Sequence, residues 1–261
     1  MVKIRYREAA VKSRSMGLIG IDCATDPVRV GLAYGEHAEG KTCVRVAEFG
    51  TRSRSIASQV SRWTERWDQT LIAIDAPLGW PAALGRTLSA HKAGQPIAEH
   101  PNRLFRRETD RVIKEKIGKL PLDVGADRIA RTAHAALQIL EDLRVLIRAD
   151  IPLAWEASFP ARVAAIEVYP AGTLAAYHIP ARGYKEKHAR EKRLAILGAV
   201  RKSVTVGDDV AEPVGSNADV LDAVLCLVAA HDFLSADTIR PSNQGLARKE
   251  GWIWVRNRGG S

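Results

Sequence analysis

The sequence predicts an α/β protein in which one mixed β-sheet is flanked by helices. Two apolar segments lead to this prediction, LIGIDCA at 18–24 and LIAIDAP at 71–77. Each is rich in aliphatic residues and leads into one aspartate, Asp22 or Asp75, a pattern typical of strands buried on both faces. Open α/β sheets bind ligands at the carboxyl ends of their strands. The two aspartates therefore predict a metal or phosphate site at that edge.

The first elements read as three adjacent antiparallel strands followed by a helix. Residues 17–23 form the first strand, and 28–34 and 43–49 have the length and apolar pattern of two more. The glycine-rich segment 35–40 predicts the turn between them. In 55–67, apolar residues recur every three or four positions after a serine, which predicts one face of a capped helix.

A fourth strand at 71–75 precedes an irregular segment. Prolines and glycines after Pro77 exclude long regular elements there. We therefore expect a single domain over 16–261 with a helical insertion at about 82–150. Within that insertion, the apolar spacing over 127–148 predicts a long amphipathic helix that covers one sheet face.

The second half of the chain continues the alternation. Residues 163–169 predict a fifth strand, and 186–200 predict a basic helix. The segment 203–216 reads as a loop, because Gly207 and two aspartates are typical of turns. Residues 217–234 form an apolar helix that begins with an asparagine cap.

Length and charge restrict the functional class. The chain has 261 residues, 46% of them apolar, and a net charge of +9, so it can bury a large core and is attracted to polyanions. Residues 1–15 predict a basic arm without the apolar centre of a signal peptide. No apolar run is long enough to span a bilayer. Three cysteines without close pairs, including Cys23 as a small core residue, favour a reducing cytoplasm.

Several carboxylates fall on buried elements. Asp22 and Asp75 end strands, Glu167 lies among apolar residues of the fifth strand, and Asp219 and Asp222 share one face of the last apolar helix. A buried carboxylate is costly unless it is paired or binds a cation. Oxygen ligands suit Mg²⁺ or Mn²⁺, and no His/Cys cluster has the spacing of a zinc site.

A cluster of arginines lies in the predicted insertion. Arginine forms bidentate contacts with phosphate, so this segment predicts a clamp on a substrate backbone. A solvated, internally paired charge cluster is the alternative. The residues concerned are Arg103, Arg106, Arg107, Asp110 and Arg111.

Five short motifs in this order resemble the DUF429 family, whose members are described as predicted nucleases of the ribonuclease H-like superfold. The resemblance covers about residues 17–236, and the motifs are GIDCA at 20–24, IDAPLGWP at 74–81, RETDR at 107–111, IEVYPA at 166–171 and DVLDA at 219–223. The Ile-Asp-Ala-Pro and Glu-Val-Tyr-Pro motifs, in this order and with the closing Asp-Ala helix, are specific in combination and weak singly.

The resemblance implies a phosphodiesterase that uses two Mg²⁺ or Mn²⁺ ions on a carboxylate site. By position, Asp22 would bridge the ions, Asp75 and Asp222 would be further ligands, and Glu167 or Asp219 would complete the set. DNA or RNA would be the substrate. Asp110 matches the family's Arg-x-Thr-Asp motif without an assigned role.

Two other functions remain open at this point. Asp22-Cys23-Ala24-Thr25 is similar to a phosphate-binding turn of actin-like phosphotransferases, which would imply a phosphotransferase or nucleotide hydrolase. The segment after Asp75 lacks the second glycine-threonine loop of that class. The other alternative is a non-catalytic nucleic-acid-binding protein, in which the basic residues hold phosphates.

Two tryptophans near the carboxyl terminus have a spacing that permits two interpretations. Trp252 and Trp254 are two residues apart and would face one side of a strand. They could stack on bases or seal an edge of the core.

Overall fold

A computed structural model describes residues 15–125 and 127–259, except for the side chain of residue 127. Its centre is a six-stranded mixed sheet with the order β5-β4-β1-β2-β3-β6. The strands are β1 (Met16–Asp22), β2 (Gly31–Ala38), β3 (Lys41–Phe49), β4 (Thr70–Asp75), β5 (Val163–Glu167) and β6 (Thr205–Val206).

The strand directions confirm the predicted α/β fold with one mixed sheet. β1 pairs antiparallel with β2, and β2 pairs antiparallel with β3. β1 and β4, β4 and β5, and β3 and β6 pair in parallel. The prediction of five strands was one short, because the two-residue strand β6 extends the edge beside β3.

Ten helices lie in the described part of the chain. They are α1 (Ile56–Thr64), α2 (Ala82–Leu88), α3 (Pro101–Leu104), α4 (Glu108–Ile117), α5 (Asp127–Ile147), α6 (Pro170–Ala176), α7 (Arg190–Val200), α8 (Ala211–Ser216), α9 (Ala218–Leu234) and α10 (Gln244–Glu250). Ser55 caps α1 by accepting a hydrogen bond from the Ser58 backbone N–H, as its sequence predicts. No helix of the described residues is both long and apolar enough to cross a membrane.

Side-chain alternation along the strands separates two apolar layers. Ile19 and Ile21 of β1 point to the face covered by α1 and α5. Leu18 points to the opposite face, where α9 crosses β1, β2, β3 and β4. Because α9 is enclosed by the sheet and by α6, α7 and α8, it is apolar around most of its circumference.

Glycines allow α9 to lie directly on the sheet backbone. A Cβ atom at Gly20 would come 2.1 Å from the Ala223 carbonyl oxygen, and one at Gly31 would come 1.9 Å from the Asp219 carbonyl oxygen. Any larger residue at either position would force the helix away from the strands. These two glycines therefore set the depth at which α9 sits.

Two predicted boundaries in the first hairpin were wrong. β2 begins at Gly31 rather than at Val28, because Pro27–Arg29 form a 3-10 turn capped by Asp26. β2 also continues through the predicted turn at 35–40 as far as Ala38. A register shift between Tyr34 and Gly35 lets the pairing with β3 continue.

The segments around β5 and β6 also differ from their predictions. The predicted fifth strand ends at Glu167, and α6 follows with Pro170 at its start, where a missing N–H has no cost. The predicted loop at 203–216 contains β6 and α8. The basic helix starts at Arg190 and not at Glu186.

The predicted domain organisation stays a prediction. α2, α3, α4 and α5 all lie between β4 and β5 in the chain, where the insertion was expected. α5 packs against α1 and contributes Leu140 and Leu143 to the apolar layer on that face. The predicted basic arm at 1–15 lies, apart from Ser15, outside the described residues.

Candidate functional site

Asp22 and Asp75 lie side by side at the end of the sheet. They are paired in register across the parallel strands β1 and β4, whose backbones are about 4.8 Å apart in such a pair. Alternation from Gly20 and Ala73 places both carboxylates on the face covered by α9. The strand patterns that predict this neighbourhood are therefore sufficient to bring the two groups together.

The helix α9 brings a third carboxylate to the same place. Asp222 is on the second turn of α9 and is fully buried, and Asp219 lies one turn before it and is partly buried. Asp222, Asp75 and Asp219 each raise the pKa of Asp22 through their negative charge. The structure thus gathers four of the five predicted catalytic and metal-binding carboxylates.

Burial and mutual repulsion dominate the electrostatics of this group, which we call the acidic cluster (Asp22, Asp75, Asp219 and Asp222). Desolvation is the largest cause that raises the pKa of Asp22 well above its ordinary value, followed by the charge of Asp222. The same two causes raise the pKa of Asp75 to about 8. Burial also raises the pKa of Asp222. The cluster therefore favours any cation that enters it.

A tyrosine and a lysine that the sequence reading did not select contact the cluster. The Tyr184 hydroxyl donates a hydrogen bond to Asp222 Oδ1 at 2.7 Å, and Lys185 Nζ lies 2.6 Å from Asp222 Oδ2. The Lys185 side chain remains 61% exposed. Both residues lie in a segment without apolar periodicity, so the sequence carried no signal for their position.

The donor chemistry of the cluster fits a hard divalent cation. Its candidate ligands are all carboxylate oxygens. Asp222 Oδ2 is buried, and its partner is the Lys185 ammonium at 2.6 Å. Among the residues that the structure describes, no group of three or more His, Cys, Asp or Glu side chains is arranged so that it could hold a metal ion. Mg²⁺ commonly uses one or two carboxylates and completes its shell with water and substrate oxygens.

Glu167 occupies a different environment from the one predicted for it. Its Oε1 and Oε2 accept hydrogen bonds from Arg107 Nη2 at 2.7 Å and Nη1 at 2.8 Å. Its Oε2 also accepts the backbone N–H of Leu78 at 2.9 Å. Glu167 therefore has its charge balanced by an arginine, which gives it a structural role that the sequence interpretation did not assign.

Arg107 is enclosed and not available to a substrate. It is 1% exposed, and its guanidinium also donates to both oxygens of Asp110, at 2.9 and 3.2 Å, and to the Glu250 carbonyl at 3.3 Å. These contacts use all five N–H groups of the guanidinium. The predicted phosphate clamp thus loses its central arginine, and Asp110 is a partner of that arginine.

The other members of the predicted clamp are spread over a charged surface. Arg106 pairs with Asp123 at 2.9 Å, and Arg103 pairs with Glu99 at 3.6 Å. Arg111 donates to the Arg106 carbonyl and is exposed. This arrangement matches the internally paired cluster that the sequence left open as an alternative.

The carboxylate of Glu250 joins two helices of the segment between β4 and β5. Glu250 Oε1 accepts the Ala82 backbone N–H at 2.7 Å, and Oε2 accepts the Glu108 backbone N–H at 2.8 Å. These donors are the first N–H groups of α2 and α4, which have no partner within their own helices. The distant carboxyl-terminal segment thus holds this segment in place.

Two cavities open on either side of the acidic cluster and share Asp22, Cys23, Thr132 and Lys185 as walls. The first, of about 250 Å³, has mostly apolar walls, and we call it the apolar cavity. Its further residues include Pro121, Leu122, Ile129, Val168 and Tyr169.

The second cavity, of about 270 Å³, is bounded by Arg29, Arg128 and Arg131, and we call it the basic cavity. The sequence reading missed these three arginines. Arg128 and Arg131 stand three residues apart at the start of α5, where basic residues oppose the helix dipole, and that position is the signal that could have identified them.

The tryptophans and Cys23 belong to the core. Trp252 and Trp254 are almost fully buried, and Trp254 packs edge-on against Phe233. They therefore take the core position that the sequence left as one of two alternatives. Burial raises the pKa of the Cys23 thiol to about 12, so it is not a thiolate nucleophile.

Comparison with known proteins gives one family and one similar structure among those found. No curated protein matches the chain. The structure of T. thermophilus RuvC in complex with a Holliday junction substrate is similar, at 12% identity and a TM-score of 0.32, over 83% of this chain and 97% of RuvC. The family model described as "Protein of unknown function (DUF429)" matches residues 20–244. The chain therefore belongs to the DUF429 family.

Proposed function

We propose that the protein is a metal-dependent nuclease that hydrolyses phosphodiester bonds in nucleic acid. The observation that carries this proposal is the acidic cluster, in which Asp22, Asp75 and Asp222 converge from two strands and one helix and raise the pKa of Asp22 by their mutual repulsion. Structural carboxylates are normally neutralised by arginine or lysine or by hydrogen bonds. The mutual repulsion of the carboxylates in the acidic cluster is best explained by a cation that binds between them.

Asp22, Asp75 and Asp222 are the residues that would hold Mg²⁺ or Mn²⁺, and Asp219 is close enough to influence them electrostatically. Such ions supply activation of water and stabilisation of charge on the leaving oxygen. Tyr184 fixes the Asp222 carboxylate through its hydrogen bond to Oδ1. Lys185 holds a positive charge at the mouth of the cluster, where it can contact a substrate phosphate.

Charge supports nucleic acid as the partner. The net charge of +9 attracts a polyanion. The basic cavity directs part of that charge toward the acidic cluster. The three cysteines are free, which supports a reducing, cytoplasmic setting as part of the same proposal.

The second candidate, a nucleotide hydrolase or phosphotransferase, is favoured by one observation. Thr25, in the turn after Asp22, lines the basic cavity together with Arg29. A phosphate bound there would lie against the segment that resembles a phosphate-binding turn. This candidate uses the same carboxylates and differs in the size of the substrate.

The test is cleavage of labelled single-stranded, duplex, hybrid and branched nucleic acids in the presence of Mg²⁺ or Mn²⁺. We expect cleavage to fall at least ~100-fold in Asp22→Asn, because removal of even an indirect partner of a metal site costs ~10–100-fold. Asp209→Asn is the matched control, since Asp209 is exposed and lies in the segment before α8.

Wild-type cleavage by Asp22→Asn would remove the acidic cluster from the reaction. Hydrolysis of free nucleotides without cleavage of any polymer would select the second candidate. If neither activity appeared with either metal, the non-catalytic nucleic-acid-binding function would replace both.

A further inference from the structure

The basic cavity is lined by three exposed arginines, Arg29, Arg128 and Arg131, and also by the carboxylates Asp22 and Asp219 of the acidic cluster. Within the described ranges, Arg29, Arg128 and Arg131 form no ion pair. Three exposed arginines that face one cavity repel one another, so an anion that enters is strongly favoured.

The position of Arg128 is unfavourable for the helix that carries it. Arg128 is in the first turn of α5, where the backbone N–H groups already carry partial positive charge. A cation at this position destabilises a helix by ~0.3–1 kcal/mol. Its presence there is explained if it contacts a negatively charged group that binds from outside.

The apolar cavity on the other side of the cluster has the complementary chemistry. Its walls include Ile129, Tyr169 and Leu122, and Leu122 is 69% exposed. An aromatic ring and aliphatic side chains are the surfaces on which nucleobases and sugars pack. The common wall of the two cavities is formed by Asp22 and Lys185, among others.

Size indicates that one ligand uses both cavities. Their volumes, about 250 and about 270 Å³, lie below the ~300 Å³ at which pockets begin to hold a drug-sized molecule alone. A nucleotide has an apolar, aromatic part and an anionic part, joined by a short linkage. Its two parts match the two cavities, and its phosphate would then lie beside Asp22.

We propose that the apolar and basic cavities together bind one nucleotide unit of the substrate, with the base or sugar against Leu122 and Tyr169 and a phosphate against Arg29, Arg128 and Arg131. Arginine suits this task because its planar fork makes two parallel hydrogen bonds to phosphate oxygens. The inference rests on the proposed function for the nature of the substrate, and it adds the residues that select and orient it.

The test measures binding without metal, so that cleavage does not enter. Fluorescence anisotropy of a labelled oligothymidylate in EDTA gives Kd as a function of salt. We expect Arg128→Gln/Arg131→Gln to raise Kd at least ~10-fold. Two lost phosphate contacts should also lower the slope of log K against log salt by about 1.4.

The matched control is Arg201→Gln/Lys202→Gln, which makes the same change in net charge. These residues are exposed and precede the edge strand β6, which is separated from β1, the strand of Asp22, by β2 and β3. Their replacement should change Kd less than ~2-fold. An equal loss in both double variants would show only diffuse electrostatic attraction and would overturn the site.

The apolar half has its own variant and probe. Leu122→Ser should weaken oligothymidylate binding and leave binding of inorganic pyrophosphate unchanged, because pyrophosphate has no base or sugar. An unchanged Kd for oligothymidylate would overturn this half of the proposal. Competition by dTMP would assign the site to a single nucleotide, and competition by oligothymidylate alone would assign it to a polymer, with the same cavities in both cases.

Melting temperature separates binding from folding. Arg128→Gln removes a cation from a helix start, so its Tm should stay equal to that of the wild type or rise. A fall in Tm together with the loss of affinity would make the arginines structural. Loss of binding in the double variant when the wild type cleaves no polymer would refute the nuclease proposal and keep the site. Unchanged binding in the double variant, together with cleavage by the wild type that Asp22→Asn abolishes, would keep the nuclease proposal and refute the site.

Discussion

Two groups of carboxylates lie near the carboxyl end of β4 and β5, and they differ in how their charge is balanced. Asp110 and Glu167 share the fully bonded guanidinium of Arg107. Asp22, Asp75 and Asp222 share only the exposed ammonium of Lys185. Asp110, Glu167 and Asp222 are buried, whereas Asp22 and Asp75 are partly exposed. The two groups therefore differ both in access and in the partners that balance their charge.

An unsatisfied oxygen alone does not mark a site. Asp232, on the last turns of α9, has a buried Oδ2 without a partner. Its other oxygen accepts hydrogen bonds from Tyr177 at 2.7 Å and Arg256 at 3.3 Å, and no second carboxylate shares its pocket apart from the more exposed Asp237 beside Arg256. The acidic cluster differs because several carboxylates raise one another's pKa.

The largest effect on the free energy of unfolding is expected at Arg107, which balances the charges of Asp110 and Glu167. Arg107→Met leaves Asp110 and Glu167 buried without a cation, and breaking a buried pair in this way costs ~3–5 kcal/mol. Chemical denaturation measures the free energy of unfolding. The triple variant Arg107→Met/Asp110→Asn/Glu167→Gln removes the charges together and should recover part of the loss. A cost below ~1 kcal/mol for Arg107→Met would contradict the structural role given to this group.

A smaller, pH-dependent effect is expected at Asp232. Burial raises the pKa of Asp232 to about 7 in the folded protein, against its ordinary value of 3.8. Between these values the unfolded chain loses the proton while the folded chain keeps it, so the stability from this residue falls as pH rises from about 4 to about 7. The stability of Asp232→Asn relative to the wild type should therefore rise by about 1.4 kcal/mol for each pH unit within this range. A difference that stays constant with pH would show that Tyr177 and Arg256 balance the charge fully.

The smallest effect is expected at the mouth of the acidic cluster. Lys185→Met removes an ion pair with an exposed partner, which contributes at most ~1 kcal/mol, and Tm should fall by ~2–4 °C in EDTA. Mg²⁺ should then raise the Tm of the variant more than that of the wild type, because the ion replaces the lost positive charge. Lys187→Met, an exposed neighbour, is the matched control. An equal Mg²⁺ response in all three proteins would mean that the cluster does not bind the ion.

The comparison also shows what the sequence could predict. Asp22 and Asp75 follow from strand patterns, because alternation and parallel pairing fix their face and register. Asp222 follows from an acid in an apolar helix. The pairing of Arg107 with Glu167, 60 positions away, depends on how the segment between β4 and β5 folds over the sheet, and no local pattern encodes that.

The same reason explains the residues that were missed. Tyr184 and Lys185 lie in turns between α6 and α7, where side-chain direction has no periodic signal. Arg128 and Arg131 lie in a segment whose apolar spacing predicts an amphipathic helix. That spacing correctly predicts the helix but does not indicate which groups lie beside these two side chains. The short elements β6 and α8 are stabilised by contacts with the longer elements β3 and α9, and the contacts with β3 are distant in the sequence.

The contact of α9 with Gly20 and Gly31 has a consequence for how the acidic cluster responds to charge. The helix rests on strand backbone and is enclosed on its other sides, so it cannot tilt away to separate Asp222 from Asp22 and Asp75. The carboxylates must be held at short range from the moment the chain folds. A cation would then bind to a preorganised site and reduce the electrostatic repulsion among the carboxylates, with little rearrangement of the protein.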